Sequence, residues 1–387
     1  MQMTNPVPSD VRTFLLSRPD HHVIAGGATA GFTDPAAAVA ALRSGTICAV
    51  VGALPFDLRE TSALMAPRTL RRLDGPWKQP LEDETPAATI TTEIPRPAEH
   101  RRRVERVIAS LADPASPLEK VVLARALQVR TESALSPWHL AARLGAGDGP
   151  GSVFVADLSA AGPRFTGHHL VGASPEVLIR KQGSTVSCHP LAGSAPRSSD
   201  PGVDAARARH LASSTKDLHE HRIVVDGLRA ALAPLCSSLD VDDQPSVVGT
   251  PTMWHLGTPI RGEVSDTAVT ALELALAVHP TAAVCGSPTP AARDLIVATE
   301  GSRGFYTGAV GWSDAQGDGQ WMVSIRCTQL AADNRTATAW AGGGIVAQSR
   351  PDDELRETTA KFRTILAAFG IDHDAADQRN RARAQSA

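Results

Sequence analysis

The chain has 387 residues, generous for one domain and marginal for two, and its 42% hydrophobic and 20% charged residues can bury a sizeable core. A net charge of −3 and 4% aromatic residues argue against a phosphate-binding surface or a base-stacking platform, so no nucleic-acid partner is expected. No run approaches the roughly 18 apolar residues of a membrane helix, and five cysteines scattered without C-x-x-C spacing point to reduced thiols, so a soluble cytoplasmic protein with no membrane partner and no zinc or disulfide framework is expected.

In chain order, residues 1 to 20 lack the basic-then-apolar pattern of a secretion signal. A strand is expected in Thr46 to Leu54 (TICAVVGAL), and the Pro- and Thr-rich passage Gly75 to Pro97 reads as a long loop or linker. A charged helix follows over Glu99 to Leu111, and KVVLARALQV opens a strand at Lys120. Hairpins are expected in Val177 to His189, turning at Gln182-Gly183, and in Trp321 to Trp340, turning near Asp333-Asn334. Helices are expected from Ser213 and after Pro351. Antiparallel strands with intervening helices and no regular βαβ alternation indicate an α+β fold, a single large domain of antiparallel sheets with outer helices. Within it, 1–98 is a divergent N-terminal segment packing on the same domain, 99–372 the main core and 373–387 a solvated tail.

Some charged residues sit in unusual company. Asp217 and Glu220 are three apart on one helix face; Ser214-x-x-Asp217 has the form of a capping box, whereas Glu220 lies past the first turn. The sequence His219-Glu220-His221 fails as a zinc motif because residues two apart diverge on a helix. On the last helix, Leu355, Phe362, Ile365, Leu366 and Phe369 define the buried stripe, and Glu354, Glu357 and Lys361 a narrower one beside it. Glu357 and Lys361 in that order make an ordinary surface ion pair, the favoured reading; two acidic i, i+3 pairs on separate helices are also what a hard Mg2+ ion uses. Lys120 is either a solvated strand end or a partly desolvated amine, and Glu176, after the tight Gly172-Ala173-Ser174-Pro175, either a loop carboxylate or one held at a pocket wall. The run Ala341-Gly342-Gly343-Gly344 fits no phosphate motif and suits close backbone approach, while His255 defaults to a core histidine.

Ten segments, in order, resemble the chorismate-utilising enzymes and among them the isochorismate synthases: LEKVVLAR (118–125), LVGASPEVLIR (170–180), HPLAGSAPR (189–197), KDLHEH (216–221), WHLGTPI (254–260), HPTAAVCG (279–286), FYTGAVGW (305–312), SIRC (324–327), AGGGIV (341–346) and ELRETTAK (354–361). They span Leu118 to Lys361, about two thirds of the chain, and residues 1–98 match only in general character. The resemblance implies one α+β domain with a deep pocket, Mg2+-dependent interconversion of chorismate and isochorismate, and a place in menaquinone or siderophore synthesis. By position, Lys120 resembles the base that activates water for C2 of chorismate, and Glu176 the acid that protonates the departing C4 hydroxyl. Glu220 and Glu357 resemble carboxylates facing Mg2+, with Asp217 and Glu354 behind. Arg326, Tyr306, Lys361 and the backbone near Gly193 and Gly342 resemble the groups that hold substrate carboxylates, and Ser194, His255, Ala283 and Val284 complete the substrate-binding set.

Physical chemistry sets conditions on these roles. A lysine base requires burial or nearby positive charge, and a carboxyl acid working near neutrality requires an apolar wall, for which Val177 and Leu178 are the sequence candidates. LAGSAPR differs from the I-A-G-T-R of ammonia-using relatives, and no glutaminase is fused, so no glutaminase subunit is expected, and the chain is expected to be a monomer. Ala283 stands where salicylate synthases carry threonine, which fits stopping at isochorismate. A salicylate synthase, or a chorismate-binding relative without activity, is the alternative.

Overall fold

A computed structural model describes residues 12–81, 85–146, 152–250 and 252–371. Short apolar runs build its sheet. In AVVGAL (Ala49–Leu54) every residue is buried, because successive side chains point to opposite faces and both faces are covered. Val50 and Leu54 join one core, Val51 and Ala53 another.

Among the described residues every strand pair is antiparallel, and the main sheet is one long ribbon. From one end it runs Cys236–Val241, Ile260–Val264, Thr185–His189, Val177–Gln182, Gly319–Val323, Ala309–Asp314, Ala49–Leu54 and Ala63–Asp74. It continues through His21–Phe32, Arg12–Ser17, Phe154–Asp157, His169–Gly172, Cys327–Leu330, Thr336–Ile345 and Lys120–Thr131. Ala88–Ile94 and Gly286–Ser287 share the free edge of that last strand. A separate sheet joins Leu191–Pro196, Met253–Gly257 and Ser246–Gly249.

The ribbon folds back on itself. One core interleaves Val51, Val310, Trp312 and Met322 from the first arm with Phe14, Phe154, Leu170 and Cys327 from the second, so the arms pack face to face. The outer face of the first arm is covered by the helices Thr215–Leu232 and Ala271–Val278; that of the second by Pro137–Gly145 and Pro351–Ala368. Pro97–Ala112 and Thr289–Glu300 cover the start of the Lys120 strand. This is the expected α+β domain of antiparallel sheet with outer helices, and among the described residues no helix is long and apolar enough to cross a membrane.

Three expectations change. Part of the passage read as a loop is the strand Ala88–Ile94, whose alternating pattern wins over its neighbouring prolines because the strand is a mostly exposed edge. The second hairpin is narrower than expected, Cys327–Leu330 with Thr336–Ile345, and Trp321 lies in a different strand. On the Pro351–Ala368 helix Leu355 is half-buried, while Glu354 and Thr358 are buried in its place. The stripe therefore carries a carboxylate at its amino-terminal end. The expected tail at 373–387 lies outside the described residues.

Candidate active site

One pocket gathers the sequence candidates from across the chain. Its lining includes Glu176, Gly193, Ser194, Glu220, His255, Ala283, Val284, Tyr306, Arg326, Gly342, Glu357 and Lys361. Lys120, Asp217 and Glu354 stand just outside that lining.

Lys120 begins the Lys120–Thr131 strand between two partners, Gly286–Ser287 on one edge and the Gly342–Ile345 stretch on the other. Its side chain is 0% exposed, so it is no solvated strand end. Nζ lies 3.0 Å from Glu220 Oε1. A Cβ on Gly344 would stand 2.2 Å from that oxygen and 2.9 Å from Lys120 Cε, which explains why a glycine occupies this position. Burial is thus met for Lys120; the charged group beside it is a carboxylate and no cation.

The four acidic residues come from two helices. Ser214 caps the first, its hydroxyl accepting the Asp217 N–H at 3.3 Å; one turn further in, Glu220 is buried. Pro351 and three acidic residues open the second, a start that suits the positive helix end. Three of the four carboxylates pair with lysines: Glu220 with Lys120, Glu354 with Lys216 at 3.0 Å and Glu357 with Lys361 at 2.5 Å. The last pair is mostly buried, so the surface ion pair read from sequence becomes part of a pocket wall.

Charge and burial compete here. Burial alone would raise Glu220, but Lys120, Lys216 and Lys361 hold it below the usual carboxylate range. Glu354 is pushed up to about 7 by burial and by Glu357, against the pull of Lys216, and burial also raises Asp217. Glu354 Oε2 is buried without a hydrogen-bond partner. Among the described residues no three His, Cys, Asp or Glu side chains stand together as a ready metal cage. The donor set itself is all oxygen, which suits a hard divalent cation.

Glu176 faces the pocket from the turn after Pro175, its N–H donating to Ser174 Oγ at 3.2 Å. Burial pushes its carboxyl up to about 7, opposed by the Leu191 N–H and the Lys120 and Lys361 charges. The apolar wall is not the expected one: Val177 and Leu178 belong to the two sheet cores, and Pro175, Leu191, Val122 and Ile325 line the pocket instead.

The lining also carries two cations. Burial lowers Arg326 to about 10, still far above neutrality, and its backbone sits at φ 51°. Lys361 also donates to the Gly342 carbonyl at 2.9 Å. Tyr306 stacks on Trp340 with ring centroids 5.6 Å apart, and burial pushes its phenol up. His255 Nδ1 lies 3.0 Å from Ser194 Oγ while Nε2 has no partner. Burial, with Arg326 and Lys361 nearby, keeps its imidazole neutral. Such a pocket can receive a small dianion between Arg326 and Lys361 and present it to a protonated carboxyl.

Sequence reasoning missed Thr307, Trp340 and Lys216. Thr307 lines the pocket at φ 57°, an unusual conformation for a β-branched residue that no local pattern announces. Trp340 entered only as the last residue of the expected hairpin. Lys216, beside Asp217, had the signal of a basic residue among acids on one helical turn.

The sequence profile of the family described as "Chorismate binding enzyme" matches residues 41–370. A Mycobacterium tuberculosis protein with the provisional name isochorismate synthase MenF is 50% identical over 362 residues, 93% of this chain and 96% of that one. Isochorismate synthase DhbC of Bacillus subtilis is 46% identical over 328 residues, 84% and 81% of the two chains. A crystal structure of Bacillus anthracis DhbC, provisionally described as a 2,3-dihydroxybenzoate-specific isochorismate synthase, superposes with a TM-score of 0.85 at 37% identity, covering 93% of this chain and 97% of that one. With a profile match over most of its length and a pocket built from all ten segments, the chain belongs to the chorismate-binding enzyme family.

Proposed function

We propose that the protein is an isochorismate synthase, an isomerase that adds water at C2 of chorismate and expels the C4 hydroxyl. The observation that carries this reading is the pairing of a buried Glu176, raised to about 7, with a fully buried Lys120 at a pocket lined by Arg326 and Lys361. The named relatives support it.

In this reading Arg326 and Lys361 hold the substrate carboxylates, and Tyr306 and the backbone at Gly193 and Gly342 orient them. Lys120 takes a proton from water as its oxygen bonds to C2. The conjugated double bonds of the ring shift, the C4–O bond breaks, and Glu176 supplies the proton that lets the hydroxyl leave as water. One water enters and one leaves, so the reaction is an isomerisation. A neutral His255 adds no further cation. Mg2+ fits Glu220 and Glu357, with Glu354 and Asp217 behind them. When bound, it supplies positive charge to a substrate carboxylate that glutamates alone would repel.

Incubation of purified protein with chorismate and Mg2+, without glutamine or ammonium, tests this, with products separated by chromatography. Isochorismate is the expected product; anthranilate-type or salicylate products, or unchanged chorismate, refute the reading.

A further inference from the structure

Behind the pocket, Arg303 is buried at the end of the loop after the Thr289–Glu300 helix. A guanidinium has five N–H donors in a fixed fork, and here each one has an acceptor. Nε and one Nη2 hydrogen reach the two oxygens of Glu300 at 2.8 and 3.0 Å. The other Nη2 hydrogen reaches the Val122 carbonyl at 2.8 Å. Nη1 reaches the Val284 carbonyl at 3.0 Å and Thr307 Oγ1 at 3.4 Å. Glu300 Oε1 in turn accepts the Ala124 N–H at 2.6 Å.

Val122, Val284 and Thr307 bring three different chain segments to the pocket lining. Val122 is on the Lys120 strand, Val284 follows Ala283, and Thr307 follows Tyr306. A buried ion pair contributes little net stability compared with apolar residues of the same volume. What this one contributes is spacing, since a rigid planar fork bonds three separate segments at once. It also satisfies the hydroxyl of Thr307, whose backbone is held at φ 57° by its surroundings.

We infer that Glu300 and Arg303 are positioning residues that fix the Lys120 strand, the Ala283–Val284 turn and the Tyr306–Thr307 turn at one separation, so that the bound ring lies in line with Lys120. The inference rests on the proposed chorismate chemistry. Reacting atoms must be held within a fraction of an ångström for turnover, while binding tolerates more. The pair therefore governs kcat more than affinity.

Arg303→Lys tests this, because a lysine keeps the charge but offers three donors for five acceptors. Glu300→Gln is the second variant; it keeps the shape and releases one end of the fork. Turnover, KM, chorismate affinity by calorimetry and melting temperature are measured for each. The expected result is a kcat lowered by about 10- to 100-fold with chorismate affinity changed less than about threefold, in proteins still folded at the assay temperature. An unchanged kcat in either folded variant overturns the inference. So does a loss of kcat that tracks the unfolded fraction and disappears on cooling. Should the unaltered protein release pyruvate instead of isochorismate, the functional reading fails, and the same kcat comparison made on pyruvate still decides the positioning role.

Discussion

Replacing Glu176 with glutamine isolates the effect of burying a carboxyl that must keep its proton. The ordinary value of 4.5 is raised to about 7, which corresponds to roughly 3 kcal/mol at about 1.36 kcal/mol per unit. At pH 7 about half of the Glu176 side chains then carry the proton, against roughly one in 300 for a solvated glutamate. Because the folded protein binds this proton more tightly than the unfolded chain, unfolding free energy falls as pH rises from about 4.5 to 7. Below that window both states are protonated, and above it the buried charge is fully destabilising. Glu176→Gln removes the titration but keeps an acceptor for the Leu191 N–H. Urea denaturation of both proteins between pH 4 and 8.5 should therefore show a stability difference near zero at the acid end. By pH 8 it should favour the glutamine variant by up to roughly 3 kcal/mol. Turnover of the variant should fall by about 10² to 10⁴, and the unaltered enzyme should lose activity as pH rises through about 7. A stability difference that is constant with pH would refute the assignment of a raised value, and near-normal turnover of the variant would remove Glu176 from the chemistry.

Three further outcomes are expected. Lys120→Gln should lower isochorismate formation by about 10² to 10⁴ and lower the melting temperature, because Glu220 loses its 3.0 Å partner; near-normal turnover of the folded variant would exclude Lys120 as the base. Glu220→Gln and Glu357→Gln should each raise the Mg2+ concentration needed for activity and weaken Mg2+ binding in calorimetry, and two unchanged titrations would return these residues to plain ion pairing. Ala283→Thr places a hydroxyl in the pocket lining where the methyl orients nothing, and should add pyruvate release in a lactate dehydrogenase-coupled assay. The unaltered protein should release little, and pyruvate from it at the rate of isochorismate formation would point to a salicylate synthase.

The elements that position the site were legible where local pattern decides them. KVVLARALQV is β-branched at its start and flanked by Pro117 and polar residues, which reads as a strand, and Ser214 with Asp217 announces a helix start. What the pattern could not convey was depth. Lys120 and Glu354 are among the most buried charged side chains, yet each sits at the end of an element, where solvation is the ordinary state. Their partners, Glu220 and Lys216, are about 100 and 140 residues away in the chain, and periodicity carries no signal at that range. Ala88–Ile94 was lost for the opposite reason: its partner is the Lys120 strand, and the pairing outweighs the turn residues around it. Thr307 and Arg326 hold positive φ because tertiary contacts impose it, so neither residue type hints at the backbone it adopts.

The order of strands along the ribbon also bears on how the chain reaches this fold during synthesis. Arg12–Ser17 and Ala49–Leu54 are made early, yet their partners Phe154–Asp157 and Ala309–Asp314 follow roughly 140 and 260 residues later. Until then the early hairpins carry unpaired edges that other chains could join. Completion of the sandwich therefore waits for nearly the whole polypeptide, and the nascent protein should depend on chaperone shielding for most of its time on the ribosome.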